Sequence, residues 1–210
     1  MKDLKSIFDL IDYEQFRKIP ELFLIEKSIS RLKTFMSGYF ACEDFNQIKA
    51  DSKPPFWLFF HYVCKFYNHN GSYHNWDGII LQNCNNDKKK ALEEFFKRFD
   101  EFRKIQPLKG LISNINSESL KFYNSRMEKI EFEVDTKLGR EVVDQFIIIK
   151  YDHDFGCAIY YLNEKQKVRP FFYRTIDETF QHFEREYGNS LEWSELSEAN
   201  IDMKLSRYNY

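Results

Sequence analysis

From position 91 to 102 the apolar residues fall at Ala91, Leu92, Phe95, Phe96, Phe99 and Phe102, with Lys, Arg and Glu between them. Steps of three and four predict an amphipathic helix. Asn85, Asn86 and Asp87 supply its N-cap, and Pro107 with Gly110 stop it. A second stripe, Leu22, Ile25, Ile29, Leu32, Met36 and Tyr39, predicts one helix over 21–45, opened by Pro20. Residues 3–17 suit a shorter helix. The run 56–64 is apolar on all sides, so its period does not separate a buried strand from a buried helix. Pro54 and Pro55 ahead of it, and Lys65, Phe66 and Tyr67 continuing it, favour helix. Residues 68–76 are rich in Asn, His and Gly and predict a loop, and 78–82 a short strand.

The pattern changes after about residue 127. Ile130, Glu131, Phe132, Glu133 and Val134 alternate, as a strand with one wet face does. Residues 146–151 and 157–162 are continuous apolar runs joined by Asp152, His153, Asp154, Phe155 and Gly156, which predicts a hairpin. Strands apolar on both faces belong at the centre of a sheet, covered by helices. Residues 169–173 predict an outer strand, because Pro170 has no N–H for a ladder. Thr175 and Glu178 fit a capping box, Ile176, Phe180, Phe183 and Tyr187 share a helical face, and Gly188 ends it. The expected class is α+β: a helical N-terminal half packed on a small antiparallel β-meander that a C-terminal helix follows. One domain over 1–210 is expected, with any internal boundary near 110–127.

Composition narrows the function classes. The chain has 210 residues and a formal net charge of −2, so no bulk basic field favours nucleic acid. It carries 22 Phe, 13 Tyr and 3 Trp, ample for a core and for interface anchors. Cys42, Cys64, Cys84 and Cys157 form no C-x-x-C pair and read as free thiols in a reducing compartment. Asp3, Asp9, Asp12 and Glu14 stand where a signal peptide wants a basic start. The most apolar run is too short to span a bilayer, which takes about 20 residues. A cytoplasmic protein without membrane contact is expected.

Candidate chemistry is sparse. Cys64, His69, His74 and Cys84 are zinc-type ligands, but four, four and nine residues intervene, which fits no finger or knuckle. Asp152 and Asp154 flank His153, as a divalent-ion site would, and also as a tight turn does. Glu131, Glu133 and Asp135 project from one face at strand period, as a solvated face does. A D…(D/E)-x-K nuclease needs an acid where Ile148 precedes Lys150. Lys88, Lys89 and Lys90 open a helix whose later turns are acidic. No P-loop, G-x-G-x-x-G or G-x-S-x-G is present. No catalytic residue, metal or cofactor is assigned.

The segment from Glu184 to Asp202 holds six acids and one base, Arg185. Glu184, Glu186, Glu192, Glu195 and Glu198 surround Trp193, and this set is the candidate partner-binding surface. Charge steers a basic partner and the ring anchors it. The competing reading docks Leu191, Trp193 and Leu196 on the body through an acidic helix. In general build the last third, with its hairpin, its Pro170-Phe171-Phe172 strand and its helix 175–187, resembles immunity proteins of bacterial toxin systems. That resemblance implies a toxin domain as partner, such as a basic nuclease, and inhibition by occlusion, with acids mimicking phosphates. Two other classes stand beside it: a hydrolase or nuclease with a dispersed Asp/Glu/His site, and a self-associating structural protein whose aromatic surplus forms a homodimer interface.

Overall fold

The computed structural model describes residues 6–45, 54–71, 74–131, 143–152, 154–162, 167–197 and 200–201. Among them are nine helices and one five-stranded antiparallel sheet, an α+β protein. The chain divides into two compact units, Met1–Ile105 and Gln106–Tyr210.

The first unit is helical. Helix α1 (Ile7–Asp12) opens with a capping box: Asp9 N–H donates to Ser6 Oγ at 3.2 Å, and Ser6 N–H donates to the Asp9 carboxylate at 3.0 Å. Helix α2 (Glu14–Lys18) follows. Pro20 then caps α3 (Glu21–Leu24), and α4 runs from Ile29 to Phe45. The single helix predicted over 21–45 is therefore two. The chain leaves α3 at Ile25, whose φ of 71° lies in the left-handed region, and restarts as Leu32 N–H donates to the Ser28 carbonyl. The interruption splits the stripe: Ile29, Leu32 and Met36 are buried, whereas Leu22 is 72% and Ile25 85% exposed.

The ambiguous apolar run is helix α5 (Trp57–Phe66), started by the Leu58 N–H donating to the Pro55 carbonyl. Residues 78–82 lie within helix α6 (Trp76–Asn83) and not in a strand. Burying adjacent Ile79 and Ile80 inside this helical unit overrides their β preference. Helix α7 (Lys88–Phe102) has its stripe where the spacing puts it, and Asp87 caps it by accepting from Lys89 N–H and Lys90 N–H. The core is aromatic. Phe59 sits 5.4–5.7 Å from the rings of Phe56, Trp76, Phe95, Phe99 and Phe102, mostly edge to face.

The second unit opens with β1 (Pro107–Asn114) and α8 (Ser117–Glu131). Helix α7 ends earlier than the expected stop, at Phe102 with Arg103 as its C-cap, and Pro107 and Gly110 lie within β1. At Gly110 a Cβ would lie 2.5 Å from Ile201 Cδ1, so any side chain there would push Ile201 aside. Of the strand predicted over 130–134, Ile130 and Glu131 are the last residues of α8, and the rest lies outside the described residues. The hairpin is β2 (Gln145–Tyr151) and β3 (Cys157–Leu162), with Ile148 opposite Ile159. Strand β4 (Lys167–Tyr173) forms one edge, as Pro170 requires. Helix α9 (Ile176–Tyr187) follows, and β5 (Ser194–Leu196) forms the other edge by pairing with β1. The order β4-β3-β2-β1-β5 puts β2 at the centre.

Thr175 caps α9 by accepting from Glu178 N–H at 3.1 Å. The Glu178 carboxylate reaches past the cap to the Arg174 N–H at 3.0 Å, so the expected box closes one residue early. Phe183 and Tyr187 of α9 press on Phe146, with ring centroids 4.8 and 4.7 Å away. The other face of the hairpin carries Ile147, Ile149, Ala158, Tyr160 and Leu162, equally apolar and buried.

Candidate functional site

Helix α9 ends where Gly188 turns with φ of 73°, and its N–H donates to the Glu184 carbonyl. Two constraints select glycine here. The left-handed conformation disfavours a side chain, and a Cβ would stand 3.3 Å from the Phe122 ring. The chain then passes Asn189 and Ser190, and the Ser190 carbonyl accepts from Asn116 Nδ2 at 2.6 Å. Asn116 also sets the start of α8: its Oδ1 accepts from Ser119 N–H at 2.8 Å. These bonds tie the N-terminal turn of α8 to the C-terminal turn of α9. Tyr123 and Tyr187 stack between the two helices, rings 5.0 Å apart and 9° from parallel.

An open cleft of about 550 Å³ lies at this junction, lined by Glu118, Phe122, Glu184, Tyr187, Gly188, Asn189 and Ser190. Two carboxylates, Glu118 and Glu184, stand on exposed positions beside it. Phe122 is 44% exposed, less than Phe45, Phe66 and Phe171, with one part against the Gly188 backbone. Tyr187 is only 6% exposed, and burial holds its phenol well above the usual tyrosine range, so it stays neutral. The negative end of the α9 dipole points the same way as Glu184. Glu118, in the first turn of α8, complements the positive end of its own helix. An acidic rim over aromatic rings attracts cations and offers nothing to an anion.

The acidic segment does not form one continuous strip. Glu184 lines the cleft and Glu192 is exposed. Glu186 is partly buried and its carboxylate accepts from Arg185 Nε at 3.2 Å. Glu195, on β5, pairs with Lys109 on β1, a contact that lowers its pKa. Glu198 lies outside the described residues. Trp193 is half-buried: its ring meets Phe183 at 4.9 Å and Phe180 at 5.8 Å, both edge to face. Leu191 packs against the same cluster. The indole is thus a packing residue of the sheet's helical face, and it directly precedes the short edge strand β5, where a helix is the alternative expectation.

The other clusters have structural uses. Asp152 Oδ1 accepts from Gln106 N–H at 2.9 Å, which ties the end of β2 to the residue before β1, and Asp154 takes a φ of 51° in the hairpin turn, whereas His153 lies outside the described residues. Glu131 ends α8, and Glu133 and Asp135 lie outside the described residues. His69 Nδ1 accepts from Gly71 N–H at 2.9 Å, Cys64 is buried near the end of α5, and Cys84 caps α6. Among the described residues no group of three or more His, Cys, Asp or Glu is placed to hold a metal ion. Arg98 is buried between Glu94 at 2.8 Å and Glu101 at 2.6 Å and lies 3.9 Å over the Phe66 ring. Tyr62 and Tyr67 donate to those same carboxylates, which makes the network a satisfied part of the fold. Tyr161 and His182 meet at 2.6 Å, but burial raises the phenol pKa far out of the range of acid–base work. No helix among the described residues is long and apolar enough to cross a membrane. No family model matches the chain, and neither a curated protein nor a solved structure does.

Proposed function

We propose that this chain is a cytoplasmic protein-binding module of the immunity type, which docks a basic partner such as a toxin domain and neutralises it by occlusion. The observation that carries this reading is the cleft at the α8–α9 junction, where Glu118 and Glu184 border the exposed Phe122 ring. Carboxylates accelerate the encounter with a basic surface, and an aromatic at the centre of the contact supplies the buried area that holds it. Glu192 extends the acidic rim along the chain, while Glu186 and Glu195 spend part of their charge on Arg185 and Lys109. A toxin nuclease binds phosphates with Lys and Arg, and the same side chains would engage this rim, closing the substrate groove. The test is charge reversal. Glu118→Lys with Glu184→Lys touches two exposed side chains and leaves the fold intact. The double variant should lose partner capture, and capture by the unaltered protein should fall steeply with salt. Equal capture by the two proteins would remove the cleft from the function.

A further inference from the structure

We propose that this chain pairs with a second copy of itself through the exposed aliphatic surface of the α2–α3 segment, antiparallel about a two-fold axis at Leu22. Ile19, Leu22 and Ile25 recur every three residues and so lie side by side along one turn. The Leu22 N–H donates to the Ile19 carbonyl at 3.2 Å, and the Ile25 N–H to the Glu21 carbonyl at 3.0 Å. The inner side of that turn is used by the core: Pro20 and Leu24 are buried, and the Phe23 ring meets Phe16 at 5.1 Å. The outer side is left bare. Among the large apolar side chains of the described residues, only Phe45 is more exposed than Leu22 and Ile25. Ile25 also takes φ of 71° and ψ of −38°, a conformation that a β-branched residue enters only under constraint. A single exposed Leu or Ile is ordinary surface, but three adjacent ones, one of them in strained backbone, mark a contact.

Charge and residue order select the occupant. Three acids and three bases flank the patch, and each is paired within the chain: Glu14 with Lys18, Glu21 with Lys27 and Glu26 with Arg31. A balanced rim exerts no pull on a basic, an acidic or a membrane surface. It does suit its own copy. In an isologous contact residue i meets j and j meets i. About Leu22 the segment is self-complementary: Ile19 and Ile25 stand three residues to either side, and Lys18 and Glu26 four. Antiparallel apposition therefore sets Leu22 on Leu22, Ile19 on Ile25 and Lys18 on Glu26, the last two in duplicate. The ion pairs fix the register, and exposed pairs within one chain are weak enough to exchange for them. This surface shares no residue with the cleft, so it stands or falls apart from the docking reading.

Sedimentation equilibrium of the full-length protein tests the pairing. A reversible monomer–dimer equilibrium is expected between about 1 and 200 μM, because a small aliphatic contact gives a weak association. Leu22→Glu, at an exposed position, puts two carboxylates on the axis and should leave monomer throughout, with the circular dichroism spectrum and the urea midpoint unchanged. Lys18→Glu sets like charges opposite each other at both ends and should weaken the dimer about tenfold. Adding Glu26→Lys restores opposite signs and should recover the unaltered dissociation constant within about threefold. Monomer at every concentration overturns the proposal, even if this face is then found to hold some other protein. A dimer that a folded Leu22→Glu variant leaves intact overturns it too, since the contact would lie elsewhere. A dimer that Lys18→Glu weakens and the double variant fails to recover overturns the antiparallel pairing.

Discussion

Phe99→Ala probes the aromatic core of the first unit. The ring is 1% exposed and meets Phe95 at 5.6 Å, Phe59 at 5.7 Å, Phe56 at 5.9 Å and Phe8 at 6.0 Å. Arg103 covers it from the next turn, 5.7 Å from its centroid. Truncating a buried Phe costs about 3–5 kcal/mol, and the value depends on how far the surroundings collapse into the cavity. Here the neighbours belong to α1, the start of α5, α5 itself and α7, so no single side chain can swing in to fill the space. The loss should lie in the upper part of the range, about 4 kcal/mol. With a urea dependence of roughly 2 kcal/mol per molar, the unfolding midpoint should fall by about 2 M. Urea unfolding followed by the helical circular dichroism signal measures it, with Phe45→Ala, at an exposed position, as a control within about 0.5 kcal/mol. A loss below about 1 kcal/mol for Phe99→Ala would mean that this face of α7 is not core, and the packing described for the unit would be wrong.

Trp193→Ala should lower stability by about 2 kcal/mol, less than a fully buried indole, because half of the ring packs on Phe180 and Phe183. Thermal unfolding checks this, and a melting temperature equal to that of the unaltered protein would mean the ring is free to act as a docking anchor. Burial on α5 lowers the His61 pKa from 6.5 to about 4, so the unfolded chain takes up this proton before the folded one does. Stability should accordingly be level above pH 6.5 and decline as pH falls from 6.5 towards 4, and His61→Gln should flatten that decline between pH 6.5 and 5. Unfolding free energies measured in that window decide it, and a stability that rises on acidification would contradict the burial.

Much of this fold is legible in the chain because packing and local chemistry agree. Asp87 caps the helix whose Phe stripe is buried, Pro170 sits on an edge strand, and Gly188 ends α9 in the conformation that glycine allows. Legibility fails where tertiary context decides. Ile79 and Ile80 have strand propensity but are enclosed by helices. Ile25 turns the chain through a conformation that no β-branched residue announces. Helix α8 has apolar residues at Leu120, Tyr123, Met127 and Ile130 in steps of three and four, but Phe122 lies off that stripe, Leu120 is exposed, and Ile130 also opens the alternating run that reads as a strand. The cleft suffers most from that. The acidity around Glu184 is visible as composition, but Glu118 and Phe122 reach the site only because Asn116 fastens α8 to the segment after α9, a contact 74 residues long in sequence. The capture of Trp193 by Phe183 is equally non-local in origin, since it follows from β5 returning to pair with β1.

Docking of a basic protein at the Glu118–Glu184 cleft is decided by parallel affinity capture from the native cell, with the unaltered chain and the Glu118→Lys, Glu184→Lys variant as baits, each at low and high salt, with mass spectrometry of what is held. A basic protein retained stoichiometrically by the unaltered chain at low salt, released at high salt and missing from the variant is the predicted result. The same proteins on both baits, or none on either, would contradict it.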